Sequence, residues 1–230
     1  MTPNFEQQLG KIRETLLMMA SLTDRNLNLA MRALVQRDDA LARTVEAEDS
    51  QIDQLEILLD DLVISFMALH APVAKDCRFM LVASKIANNL ERIADLAVAI
   101  ARRARELNGQ PLLKPLIDIP RMGALAAEML RDAISALVEE KPEQAREIVK
   151  RDKAVDEINR QLERELTSFM LEDPATITRA LSLTLVSRNL ERIADHAKNI
   201  AEEVYYLYRA SDIRHGQGQE NNPAGVGESA

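Results

Sequence analysis

The chain has 230 residues, a formal net charge of −8, 47% apolar residues, only 3% aromatic residues, no Trp and a single cysteine. These values exclude an aromatic-rich sheet core and an internal disulfide, and the acidic surface disfavours nucleic acid and anionic lipid as direct partners. No apolar run approaches the roughly 20 residues of a membrane span. Met1 to Glu14 has no basic-then-apolar leader pattern, so a cytoplasmic, reducing setting is expected.

Apolar spacing predicts six helices in chain order: Asn4 to Gln36, Asp38 to Leu69, Val73 to Leu107, Pro120 to Glu140, Pro142 to Leu171, and Pro174 to Arg209. Prolines stand near four of these starts, where a missing N–H costs nothing. In the third helix Phe79, Ile86, Ile93, Ile100 and Leu107 recur every seven residues, with Ala83, Leu90, Ala97 and Ala104 between them. That is a seam for antiparallel helix packing, and its small residues allow close approach. The register returns in the sixth helix at Val186, Ile193, Ile200 and Leu207. Gly109, Pro111 and Pro115 mark a linker, and the Gly-, Gln- and Asn-rich stretch from Gly216 reads as a disordered tail.

An internal repeat decides the expected architecture. Asn89-Leu90-Glu91-Arg92-Ile93-Ala94-Asp95 returns as Asn189 to Asp195, 100 residues later. Earlier segments match at an offset of 103, among them Ala33-Leu34-Val35 with Ala136-Leu137-Val138 and Ser65-Phe66-Met67 with Ser168-Phe169-Met170. The expectation is an all-α fold of two tandem three-helix bundles related by approximate internal symmetry. The units span 1–109 and 120–210, with a linker at 110–119 and a tail at 211–230.

The repeat carries acids as well as apolar residues. Asp49 and Asp53 lie four apart on the second helix, and Glu91 and Asp95 four apart on the third, so each pair shares a face. Folding the two helices back about Pro72 brings Asp53 level with Glu91 and Asp49 level with Asp95. In the second unit Asp156 comes level with Glu191 and Asp152 with Asp195. All eight are expected on the polar side, away from the core. Four like charges in one groove repel, and a bound cation removes the penalty. All-carboxylate ligation suits hard cations such as Mg²⁺, Mn²⁺, Ca²⁺ or ferric iron. Read as ordinary surface residues instead, the acids would pair with Arg92 and Arg192 at i,i+3. His196 is read as a polar surface residue, and His70 and His215 as solvated. Cys77 is read as a small buried hydrophobe, and two of the three tyrosines Tyr205, Tyr206 and Tyr208 as core or interface residues, without the sequence saying which two.

The two Glu-Arg-Ile-Ala-Asp segments, the Asp49/Asp53 and Asp152/Asp156 pairs and the two-fold three-helix layout resemble the PhoU family of phosphate-uptake regulators. Pro72 to Arg78 also looks like that family's opening of the third helix. Pro174 to Arg179 fills the matching place without the Asp. The resemblance covers about Gln7 to Leu207. It implies two surface metal sites, Asp49, Asp53, Glu91 and Asp95 in one unit and Asp152, Asp156, Glu191 and Asp195 in the other, holding a divalent or ferric ion such as Mg, Mn or Fe. It implies no catalysis but a cytosolic negative regulator of phosphate uptake and the starvation response. The implied partners are the ATPase of a phosphate ABC transporter, a membrane sensor histidine kinase and a second copy in a homodimer. An accessory subunit of another phosphate transporter is one alternative. A carboxylate-bridged metal enzyme is the other; it would place Glu-x-x-His pairs in a bundle core.

Overall fold

The heptads set which face of each helix is buried, and local caps and turns set where each helix begins and ends. In the computed structural model, which describes residues 3–211 and 213, six helices follow one another: α1 (Pro3–Gln36), α2 (Asp39–His70), α3 (Ala74–Asn108), α4 (Asp118–Val138), α5 (Pro142–Glu172) and α6 (Ile177–Arg209). A short 3₁₀ turn at Pro174–Thr176 leads into α6, and no strand occurs among the described residues. His215 and the tail residues from 214 onward lie outside the described residues.

The boundaries fall within three residues of the sequence reading, and the shifts at α2 and α4 have local reasons. Asp38 is not the first residue of α2 but its cap: its carboxylate accepts from the backbone N–H of Ala40 at 2.8 Å and of Leu41 at 3.4 Å, satisfying two orphan donors. α4 starts two residues before Pro120, because proline is tolerated in a first turn. Its end comes two residues early, where Glu140 turns left-handed with φ 56°. Arg37 also has φ 56°, and the N–H of Asp38 reaches Ala33 O at 3.0 Å as that of Lys141 reaches Ala136 O at 2.9 Å. Both first hairpins therefore close with the same 6→1 cap, made without glycine. Arg37 continues from that turn and donates to the carbonyls of Leu107, Asn108 and Gln110, which pins the end of α3.

α1, α2 and α3 pack on one another, as do α4, α5 and α6, and the two bundles join through α3 against α6 and α1 against α4. Val45, Ile52, Leu59 and Phe66 of α2 and Ile86, Leu90, Ile93, Ala97 and Ile100 of α3 form the seam of the first bundle, all fully buried. Each buried aliphatic side chain contributes roughly 1.5–3 kcal/mol, so the seams dominate the stability. At the far end of the first bundle His70 is not solvated. Its Nε2 lies 2.9 Å from Gln8 Oε1, and its ring meets Phe5 and Phe66 at centroid distances of 5.3 and 5.0 Å. Cys77 is only half-buried, with Sγ 3.0 Å from Pro72 O.

The contact between bundles is mixed. Leu96 of α3 is buried, and Lys85 bonds to Glu203 of α6 at 3.0 Å. Tyr206 is an interface residue, with Arg78 and Lys85 of α3 over its ring at 5.7 and 5.9 Å. Tyr208 turns to α4 and donates to Leu137 O at 2.8 Å. Behind the seam, Gly123 of α4 lets α1 approach, for a Cβ there would lie 2.7 Å from Met31 Cε.

Candidate functional site

One helical residue advances the side chain by about 100°, so the buried ridge of each helix places the acids beside it. Asp49 and Asp53 stand about 60° and 100° round α2 from Ile52, and Glu91 and Asp95 about 100° and 140° round α3 from Leu90. Both pairs thus border the α2/α3 groove. Ser84 donates to Asp60 at 3.0 Å and Asn88 to Glu56 at 3.5 Å across that groove, which holds the two helices in register beside the cluster. In the second unit Arg188 donates to Glu163 at 2.9 Å at the corresponding level.

The charges behave as a cluster in each groove. Burial raises the Asp49 carboxyl above the ordinary range; the charges of Asp53 and Asp95 add to this and Arg102 opposes it. Glu91 is pushed up to about 7, first by burial, then by Asp95, with Arg92 opposing and Glu56 adding. Burial likewise raises Asp156, helped by Asp152 and Asp195. Glu191 is raised by burial and by Asp195, Asp156 and Asp152. Across the groove, Asp49 therefore feels Asp95 in the first unit, where Glu91 faces Glu56 of α2, and in the second unit Asp156 feels Asp195 and Glu191 feels Asp156 and Asp152.

The eight acids are less uniformly outward than their angles imply. Asp53 and Asp95 are exposed and Asp49, Glu91, Asp156, Glu191 and Asp195 partly buried. Asp152 is buried, with 6% of its surface exposed. A single-helix angle does not register how closely α6 lies beside α5. Arg92 Nη1 reaches Asp95 Oδ2 at 3.3 Å, the i,i+3 pair the spacing predicts. Its Nε lies 3.3 Å from Glu91 Oε2 without hydrogen-bond alignment, so that buried oxygen accepts no hydrogen bond. In the second unit Asp195 pairs instead with Lys198, at 3.6 Å, and Lys198 also donates to Asp152 Oδ2 at 2.7 Å. Burial opposes the charge of Lys198, but its bond to Asp152 and the charges of Asp152, Asp195 and Glu202 outweigh it and hold the ammonium above the usual lysine range. Asp152 Oδ1 is buried and accepts nothing.

Among the described residues, no three His, Cys, Asp or Glu side chains stand together as a ready coordination sphere. The donor type and the charge do fit a hard cation: oxygen ligands only, mutual repulsion in each groove, and one orphaned buried oxygen in each cluster. Binding would require the carboxylates to turn inward and release Arg92 or Lys198.

Sequence reasoning missed two of these groups. Lys198 was legible as the counterpart of Val98 at an offset of 100, one of three differences, with Leu96/His196 and Ala99/Asn199, that break the repeat between 91–101 and 191–201. Glu56 left no such signal, because its counterpart is Asn159. His196 does not sit on the open surface. It is half-buried between the bundles, its Nδ1 2.9 Å from Asn89 Oδ1, and burial lowers its basicity, with Arg192 and Arg92 adding and Asp195 opposing. Beside the first cluster an open polar cleft of about 540 Å³ runs between α2, α3 and α6, lined by Glu56, Asp60, Ser84, Lys85, Asn88 and Asn199.

Both clusters fall inside segments that match one family model. The PhoU domain is matched twice, at residues 16–104 and 119–204. The chain belongs to the PhoU family. It is similar to the phosphate-specific transport system accessory protein PhoU homolog of Pseudomonas putida, 38% identical over 213 residues, spanning 92% of this chain and 83% of that protein. It is 32% identical over 216 residues to the phosphate-specific transport system accessory protein PhoU of Escherichia coli (strain K12), spanning 94% and 90%. The crystal structure of PhoU from Pseudomonas aeruginosa superposes with a TM-score of 0.88 at 36% identity, over 90% of this chain and 100% of that one. The PhoU-family fold is the two-bundle fold that the repeat predicts. No helix among the described residues is long and apolar enough to cross a membrane.

Proposed function

We propose that the chain is an accessory regulator of phosphate transport that restrains uptake and the phosphate-starvation response when phosphate is plentiful. The observation that carries this reading is the double match to the PhoU domain, together with relatives named as phosphate-specific transport system accessory proteins across 92–94% of this chain. In this reading the protein is not an enzyme. It works in the cytoplasm, as a homodimer, between the ATPase of a phosphate ABC transporter and a sensor histidine kinase. Its working units are residues 1–109 and 120–210, divided by the linker at 110–119. An acidic surface supports action through proteins rather than through DNA.

The metal reading belongs to the same proposal. Asp49, Asp53, Glu91 and Asp95 would hold one divalent or ferric ion, and Asp152, Asp156, Glu191 and Asp195 another. The ion would supply positive charge that draws two helices of a bundle together. The protein's own part is to hold carboxylates at matching levels of one groove, where their repulsion leaves them ready for a cation.

Two measurements test this. Deleting the gene should derepress phosphatase expression in phosphate-rich medium, and unchanged expression refutes the regulatory reading. Pull-down from phosphate-replete cells should bring down an ABC-type phosphate ATPase; recovery of a different phosphate transporter in its place would reassign the partner. For the clusters, Mn²⁺ should raise the melting temperature above that in matched monovalent salt. At a free ion level about 100 times the dissociation constant one site adds about 2.7 kcal/mol. Equal shifts in wild type and in Asp95→Asn and Asp195→Asn refute the metal reading.

A further inference from the structure

The duplication copied the acids but not everything that faces them. Lys198 stands where the first unit has Val98. Val98 is an aliphatic residue with 3% of its surface exposed. Lys198 sends its ammonium into the second cluster, 2.7 Å from Asp152 Oδ2 and 3.6 Å from Asp195 Oδ1. Asp152 is the one deeply buried member of the eight acids, and its other oxygen has no hydrogen-bond partner. A carboxylate buried that far is costly unless a positive charge stands against it. The ammonium is a compact charge with three donors, so it can take the place a small cation would occupy between two carboxylates.

The first cluster has no equivalent cation that touches acids of both helices: Arg102 acts on Asp49 through its charge from an exposed position. Arg92 touches Glu91 and Asp95 there, but its side chain is 52% exposed against 28% for that of Lys198. Arg92 can swing into solvent with little change in its hydration. Displacing Lys198 leaves the buried Asp152 to the incoming ion alone.

We propose that Lys198 is a resident cation of the second cluster, so that the two clusters are unequal: the first takes a divalent cation readily, and the second takes one only by displacing Lys198. This rests on the reading that the carboxylate clusters bind cations. It assigns a division of labour within the duplicated frame. One bundle responds to the free ion, and in the other a lysine already offsets part of the carboxylate charge.

Mn²⁺ titration of the metal-free full chain, followed by electron paramagnetic resonance of the free ion, reads the stoichiometry and the affinities. Wild type should show a tight phase, removed by Asp49→Asn, and a second phase at least tenfold weaker, removed by Asp156→Asn. Lys198→Met keeps the aliphatic stem and removes the charge. It should tighten the second phase at least tenfold and leave the first unchanged. Val98→Lys should weaken the first phase, and if that variant does not fold, Lys198→Met decides alone. A second readout needs no metal. In chelator Lys198→Met should melt below wild type, and adding Asp152→Asn should recover most of the loss. Two equal phases in wild type, or affinities unmoved by Lys198→Met, overturn the proposal while leaving the cation reading intact. No Mn²⁺ uptake by wild type or Lys198→Met overturns both.

Discussion

Glu91→Gln removes a charge that the folded protein holds at a disadvantage. The Glu91 carboxyl is pushed from an ordinary 4.5 to about 7, chiefly by burial and by Asp95. Converted in full at 1.36 kcal/mol per pH unit, that shift amounts to about 3 kcal/mol against the charged form. The outer edge of the α2/α3 groove is open to water, and screening there reduces the figure to about 1 kcal/mol. The sign follows from proton uptake. Between about pH 4.5 and 7 the folded chain holds a proton on Glu91 that the unfolded chain has lost, so wild-type stability falls as pH rises through this window. Above it the full penalty is present, and below it the penalty is gone. Glutamine has no such slope. In chelator at pH 8 Glu91→Gln should therefore be more stable than wild type by about 1 kcal/mol, or about 2–4 °C in melting temperature for a chain of this size. The gain should shrink steadily as the pH is lowered toward 4.5. Urea unfolding followed by far-ultraviolet circular dichroism at a series of pH values measures both. A variant less stable than wild type at pH 8, or a gain independent of pH, refutes the reasoning.

Phe66 is fully buried and its ring meets Phe5 at 4.9 Å, so Phe66→Ala should cost about 3–5 kcal/mol in urea unfolding. A loss under about 1 kcal/mol would mean that this end of the first bundle is not packed as described. Gly123→Ala sets a new Cβ against the flexible end of Met31, so it should stay within about 1 kcal/mol of wild type. In a Met31→Ala background the same change should stabilise by about 1 kcal/mol through helix propensity alone, and thermal melts of the four proteins separate the two terms.

Much of this protein is legible along a single helix. Heptads at Phe79, Ile86, Ile93 and Ile100 state which face of α3 is buried, and the 100- and 103-residue offsets state that the arrangement occurs twice. The same periodicity places Asp49 beside Asp53 and Glu91 beside Asp95, and levelling about Pro72 brings the pairs together. The mutual repulsion of Asp49 and Asp95 in the fold agrees with that levelling. The spacing also names the Arg92–Asp95 pair, because i,i+3 neighbours depend on no other helix.

Tertiary structure decided what depends on a third helix. Asp152 reads as a polar-face residue from its angle on α5, yet it is buried, because α6 lies beside it and brings Lys198 to its carboxylate. His196 and Leu96 occupy one position of the repeat. Both become seam residues only because α3 packs on α6, with His196 bonded to Asn89 and Leu96 buried. His70 looks like a frayed helix end until Phe5 and Gln8 of α1 arrive beside it. Periodicity reports an angle about one axis, and it is complete where a helix has one buried ridge. α3 and α6 each meet three neighbours, so most of their circumference is covered. Which polar residues are trapped there, and which charge they face, depends on distances between chain segments some 50 to 100 residues apart, as the Lys198–Asp152 and His196–Asn89 pairs show. No local spacing encodes those distances, because they are set by how two bundles dock.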